Sequence, residues 1–173
     1  MDRIYRLIDL RERIMRSIAI MFVIILGLMI FAGCNDSQES SYQSVNNIDA
    51  VSIAIKADTL TPTSAVVLIR NENDYICTFG TYYSIEEKRN DKWYELPYII
   101  KDDIGWDDLG IDVGKTNESK IEVEREEDWE WLYGSLSPGE YRIVKEADIR
   151  HQDPDINGRH YFAAEFSITD EMK

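Results

Sequence analysis

The chain is short of the residues on which most recognisable chemistry rests. Its 173 residues include two cysteines, Cys34 and Cys77, and two histidines, His151 and His160. Two thiols cannot build a disulfide framework. Two imidazoles without a free thiolate nearby fall below the usual count of a structural zinc site. Basic residues are also scarce, with 19 Lys and Arg against 33 Asp and Glu and a net charge of −14. So acidic a chain repels phosphate backbones and anionic headgroups, because binding either needs clustered Lys and Arg. Nucleic acid is therefore excluded as a partner. No glycine-flanked serine elbow, phosphate-cradling glycine loop or internal repeat is present, and no cofactor is expected. The length suits one domain with a modest core, with no room for a second, catalytic one.

What the chain does have begins at its N-terminus. Arg3, Arg6, Arg11, Arg13 and Arg16 precede an uninterrupted apolar run from Ile18 to Ala32. This is the n-region and h-region of an export signal, closed by the small residues Ala32 and Gly33. The run is shorter than the roughly 18 to 20 residues of a spanning helix, although an uncleaved anchor could form by tilting. The tetrapeptide Phe31-Ala32-Gly33-Cys34 resembles the lipobox of bacterial lipoproteins, with Phe31 where that family usually carries Leu. The resemblance implies that a dedicated peptidase cleaves before Cys34, whose thiol takes a diacylglyceryl thioether. The expected organisation is a signal peptide over 1–33, a lipidated Cys34 with a flexible tether over 34–47, and a folded domain over 48–173. Removing the signal, which carries five Arg against Asp2, Asp9 and Glu12, leaves a mature chain of about −16. The tether is almost all Ser, Gln, Asn, Asp and Glu, too polar to offset the entropy of ordering it. Its reach is on the order of 40 Å when extended. Acylation would leave Cys77 without a partner; if Cys34 stays free, a Cys34 to Cys77 bridge is open.

From Val51 onward apolar residues recur with period two in short runs broken by Asn, Asp, Gly and Pro. Strands are expected over Val51 to Ile55, Ala65 to Ile69, Phe79 to Glu87, Lys92 to Leu96, Ser119 to Val123, Gly139 to Glu146 and Tyr161 to Ile168. Seven short strands without a long helical stripe make an antiparallel β-sandwich. The region 99–117 is irregular, and 129–135 reads equally as a helical turn or a strand entry. Leu136, Pro138, Gly139 and Tyr141 have the order of a tyrosine corner, in which a Tyr early in strand F bonds back to upstream backbone. An ordinary Pro-Gly turn before a strand is the simpler alternative.

Several spaced segments carry a wider resemblance. They are Phe79-Gly80 with Tyr83, Ile85 and Glu86; Trp93 with Leu96-Pro97; Tyr133-Gly134 with Leu136 and Pro138-Gly139; Tyr141 to Lys145; and Ala164 to Phe166 with Ile168. Together, over roughly Ile48 to Thr169, they resemble the bacterial immunoglobulin-like domains of Gram-positive surface lipoproteins. The resemblance implies an Ig-like sandwich at the cell surface and no assigned catalytic residue.

Three sites compete for a function. Asp153, Asp155 and Asn157 before Gly158 present alternate oxygens, as an EF-hand calcium loop does, but the twelfth position is Ala164 and Glu165 comes one late. A strand F to G turn, with Asn157-Gly158 as a type I′ pair, accounts for the same residues. Paired carboxylates at Asp102-Asp103, Asp107-Asp108 and 126–128 leave an envelope hydrolase conceivable, though adjacent acids usually form a solvated loop. Trp93, Trp106, Trp129 and Trp131, with Tyr94, Tyr98 and Tyr133, exceed what a small core buries comfortably, and Trp106, Trp129 and Trp131 suit a protein or glycan partner if exposed; the alternative is that most of these rings are core. The resulting expectation is a non-enzymatic, lipid-anchored module attached to a membrane and holding a surface partner. A calcium-dependent module is the alternative.

Overall fold

The computed structural model describes residues 38–100, 104–107, 109–115 and 120–172. Among these residues, eight strands form two antiparallel sheets. Strands β1 (Val51–Ile55), β2 (Ser64–Asn71) and β6 (Glu122–Asp128) make one sheet in the order β1-β2-β6. The other has the order β4-β3-β7-β8, from β3 (Cys77–Arg89), β4 (Lys92–Glu95), β7 (Gly139–Ile149) and β8 (Gly158–Ile168). A short strand β5 (Ile111–Val113) also pairs with β3. One helical turn, α1 (Glu130–Tyr133), links β6 to β7.

Period two explains the packing. Val51 and Ile53 of β1, with Ala65, Val67 and Ile69 of β2, bury one face against Phe79, Tyr83, Ile85, Ile143, Ile149 and Phe162 of the other sheet. Complete burial of each such side chain contributes roughly 1.5–3 kcal/mol, so the core is the main stabilising term. Cys77 belongs to it: the thiol is fully buried, accepts a hydrogen bond from Asn71, and is pushed up to about 12 by burial, which leaves it inert as a nucleophile.

The expected strands are present with three changes. The strand expected over Ser119 to Val123 runs instead over Glu122–Asp128, paired residue by residue with β2. The irregular region contains β5. The open choice at 129–135 resolves to a helical turn, whose end is set by Gly134 at φ 72, donating its N–H to the Glu130 carbonyl. The β3 to β4 turn is a two-residue hairpin with Asn90 at φ 51 and Asp91 at φ 60, the positive pair that a type I′ turn requires.

The larger departure concerns the tether. From Gln38 onward it is docked on the outer face of the second sheet. It begins beside β4, where Ser40 N–H donates to the Trp93 carbonyl and Glu95 N–H to the Gln38 carbonyl. It crosses the sheet with Tyr42 over Tyr161, ring centroids 4.9 Å apart. It ends at β8, where Asn46 exchanges side-chain hydrogen bonds with the backbone N–H and carbonyl of Ala163, at 2.9 and 3.1 Å. Composition argued for disorder, but specific hydrogen bonds to exposed strand groups supply what apolar burial does not.

Candidate functional site

Two positions at the β6 to β7 corner are architectural. Tyr141 is buried against Phe166 and donates its hydroxyl to the Ser137 carbonyl, four residues upstream, at 2.8 Å. Gly139 allows this fold-back, because a Cβ there would sit 3.2 Å from the Tyr141 ring. Leu136 is buried beside them, while Pro138 is exposed at the turn. The arrangement pins the end of α1 to the start of β7.

The three tryptophans separate. Trp129 is fully buried, stacks on Phe166 at 5.5 Å and donates its Nε1–H to the Pro62 carbonyl, so it is not part of any exposed surface. The helical turn explains the split: Trp129 and Trp131 would share a face in a strand, but here one points in and the other out. Trp131 is 46% exposed and packs on Trp106, with ring centroids 5.9 Å apart. Trp106 in turn meets Tyr82 and Tyr83 edge-on at 5.2 and 5.4 Å. Tyr98, Ile99 and Leu109 are further large apolar side chains left exposed on the neighbouring loop.

The calcium candidate does not gather into a site. The Asp153 carboxylate accepts the Asp155 N–H at 3.0 Å, and the Asn157 side-chain oxygen accepts the His151 N–H at 3.0 Å. His160 contacts the Ile156 carbonyl. The loop oxygens thus cap their own backbone, and among the described residues no three His, Cys, Asp or Glu side chains are placed to hold a metal. The type I′ expectation for Asn157-Gly158 also fails. The connection runs from Ile149 to Gly158, and Gly158, at φ 126, already pairs with Ile149. Asn157 is not at positive φ, so the pair lacks the conformation of a type I′ turn.

Of the paired acids, one has a structural use. Glu127 points into the sandwich, where it meets Lys145 Nζ at 2.6 Å and Arg125 Nε at 3.1 Å. Burial pulls the Lys145 ammonium below the ordinary lysine value, and Glu127 pulls it back. Lys145 also donates to the Tyr82 carbonyl and lies 5.6 Å from the centre of the Tyr83 ring. Asp102, Asp103 and Asp108 lie outside the described residues, as does Cys34.

A feature that no linear motif announced lies on the outer face of the second sheet. A cleft of about 220 Å³ opens between the β3 segment 78–82 and the loop carrying Trp106, Asp107 and Gly110. Glu146, Asp148 and Arg159 form the rest of its lining. The Arg159 guanidinium reaches Glu146 at 3.4 Å and holds both Asp148 oxygens at 3.2 and 3.3 Å.

With these two sheets, a tyrosine folded over the β6 to β7 corner and strands in the order A-B-E and C′-C-F-G, the architecture is that of an immunoglobulin-like domain. A family model described as bacterial Ig-like domain matches residues 47–167. The chain belongs to the bacterial Ig-like domain family. No curated protein and no solved structure matches it. Within the Ig-like frame β5 is unusual: it occupies the edge of strand C, not the edge of strand E where a strand D would pair.

Proposed function

We propose that this Ig-like domain is a non-enzymatic, lipid-anchored module on the extracytoplasmic face of a bacterial membrane, holding a protein or glycan partner there. Family membership supports a surface setting, and the Phe31 to Cys34 sequence after the apolar run supports anchoring through Cys34. The observation that carries the binding role is the open aromatic face. Trp131 is 46% exposed beside Trp106, and Ile99, 60% exposed, is tied to the same helical turn by its N–H to the Leu132 carbonyl. A soluble domain that leaves large apolar side chains grouped in water does so at a cost, and such groups mark interaction surfaces.

The test has two arms on the full chain. Intact-mass analysis of protein extracted from the membrane fraction should give a mature form beginning at acylated Cys34, and Cys34→Ala should remain as unprocessed precursor. The purified domain should cosediment with isolated cell envelopes, and Trp131→Ala should reduce that binding. An unmodified Cys34 overturns the anchor, and envelope binding indifferent to Trp131 overturns the surface.

A further inference from the structure

We propose that the cleft between the β3 bulge and the Trp106 loop is a binding site for one neutral sugar ring, with Trp106 and Tyr82 as its apolar wall and Arg159, Glu146 and Asp148 as its polar floor. This inference rests on the binding-module reading above and supplies its ligand class.

The cleft is built into the backbone. β3 and β7 pair continuously except between Phe79 and Tyr83, where the register shifts. A bulge of this kind bends a strand and re-aims its side chains, and here it brings Tyr82 up beside Trp106. Gly80, inside the bulge, has no side chain to fill the space, and a Cβ placed on it would meet nothing closer than 3.9 Å. The opposite wall is tied down: Thr81 donates its hydroxyl to the Asp107 carbonyl at 2.7 Å, and Gly110 packs so closely that a Cβ there would lie 2.5 Å from the Thr78 methyl.

The lining selects the ligand. Three carboxylates, Asp107, Glu146 and Asp148, stand against the single guanidinium of Arg159, so an anion is repelled. A cationic group would have to displace Arg159, which already engages Glu146 and Asp148. A wholly apolar ligand would strip water from the charged floor without replacing its hydrogen bonds. A sugar ring satisfies both surfaces. Its hydroxyls donate to carboxylate oxygens and accept from the guanidinium, which has five N–H donors. Its C–H face packs on aromatic rings, which are apolar in body. The volume of about 220 Å³ is below the roughly 300–1,000 Å³ of pockets that engulf drug-sized ligands, which limits the cleft to a single ring. The contact of Trp106 with Trp131 continues the aromatic wall out of the cleft, giving a longer glycan a path onto the exposed face.

The experiment is an amide-detected NMR titration of the purified domain with neutral hexoses and N-acetylhexosamines, followed by tryptophan fluorescence. Shifts concentrated at Gly80, Tyr82, Trp106, Asp148 and Arg159, saturating in the millimolar range, are expected. Arg159→Ala should weaken binding at least tenfold. Gly80→Leu should abolish it, while thermal melting reports that the domain stays folded. Trp131→Ala should weaken envelope binding. Absence of cleft shifts with every sugar overturns the proposal, as do cleft shifts produced by lysine or choline instead. Envelope binding that survives Gly80→Leu but not Trp131→Ala overturns the sugar site alone. Sugar binding in the cleft without envelope binding overturns the surface role alone.

Discussion

The outer face of the second sheet carries the same constellation twice. Toward one end Arg142 pairs with Glu86 at 2.6 Å beneath Trp93, whose ring lies 4.6 Å from the guanidinium. Toward the other Arg159 pairs with Asp148 and Glu146 in the cleft that Trp106 walls. The difference is what lies above. The segment 38–46 covers the first pair, with Ser40 accepting a hydrogen bond from Arg142, so the Arg142 side chain is 8% exposed and Glu86 is fully buried. Nothing among the described residues covers the second, and Arg159 is 52% exposed. The same chemistry is therefore structural where it is sealed and available to a ligand where it is open.

The sharpest way to break the comparison is to remove each arginine in turn. Arg142→Met should cost about 3–5 kcal/mol in urea denaturation, because it strands the buried Glu86 carboxylate without a counter-charge. Arg159→Met should cost between about 0 and 1 kcal/mol, the range of exposed pairs. Among the described residues Glu86 Oε1 is the one buried side-chain nitrogen or oxygen without a partner, so the sealed pair is incompletely compensated. The double variant Glu86→Leu with Arg142→Leu should accordingly recover most of the loss. Equal effects of the two single variants would remove the distinction between the halves.

A second test lies beneath the open half, at Lys145. Burial lowers its folded pKa, while the unfolded chain keeps its proton up to about 10.4. Between the lowered value and that pH the unfolded state binds more protons, so this group adds stability as pH rises through the window and loses it as pH falls. Its contribution to the slope is at most about 1.4 kcal/mol per pH unit. The buried tyrosines Tyr82, Tyr83 and Tyr133, raised by desolvation, oppose it above pH about 10. The denaturation midpoint of wild type should therefore rise relative to that of Lys145→Met as pH increases toward about 10. Parallel curves would show Lys145 to be unperturbed.

A smaller effect sharpens the role of the cover. Asn46 sits at φ 56, which glycine accepts freely, so Asn46→Gly removes its two side-chain hydrogen bonds to Ala163 without imposing strain. At about 0.5–1.5 kcal/mol for each bond, the loss should total roughly 1–3 kcal/mol. Faster amide exchange at Ala163 should accompany it. An unchanged midpoint would mean that the segment lies on the sheet without holding it.

How much of this was legible in the chain depends on where charge replaced the apolar signal. β1, β2, β7 and β8 carry most of their inward positions as Val, Ile, Phe, Tyr and Ala, with Lys145 the charged exception in β7, and their period is visible. β6 reads Glu-Val-Glu-Arg-Glu-Glu-Asp, because two of its inward positions, Arg125 and Glu127, are ion-paired to each other, with Glu127 also paired to Lys145, and are not apolar. Its outline was therefore misplaced. β5 is three residues between Gly110 and Gly114, too short for any period. The tether misled for a related reason, since Ser40, Tyr42 and Asn46 dock by hydrogen bonds and one ring contact, which composition does not register. The cleft draws on β3, a loop, β7 and β8, so no local motif could announce it. Gly80 inside a strand pattern was the available hint, because an isolated strand glycine often marks a bulge.

Calcium should produce the smallest effect, and the open half explains why. The exposed loop 150–157 at its margin has acidic oxygens in water, as an ion site needs, but Asp153 and Asn157 already accept backbone N–H groups within the loop. Binding an ion there requires breaking those hydrogen bonds and gathering six or more oxygens from a loop that supplies few. A ligand stabilises a fold only when its free concentration exceeds its dissociation constant, and here that constant is expected to be no tighter than about millimolar. Melting temperatures in chelator and in sub-millimolar calcium should coincide. A rise in calcium that Asp155→Ala abolishes would show that the loop rearranges around the ion, and the calcium-dependent module would then displace the sugar-binding one as the account of the open half.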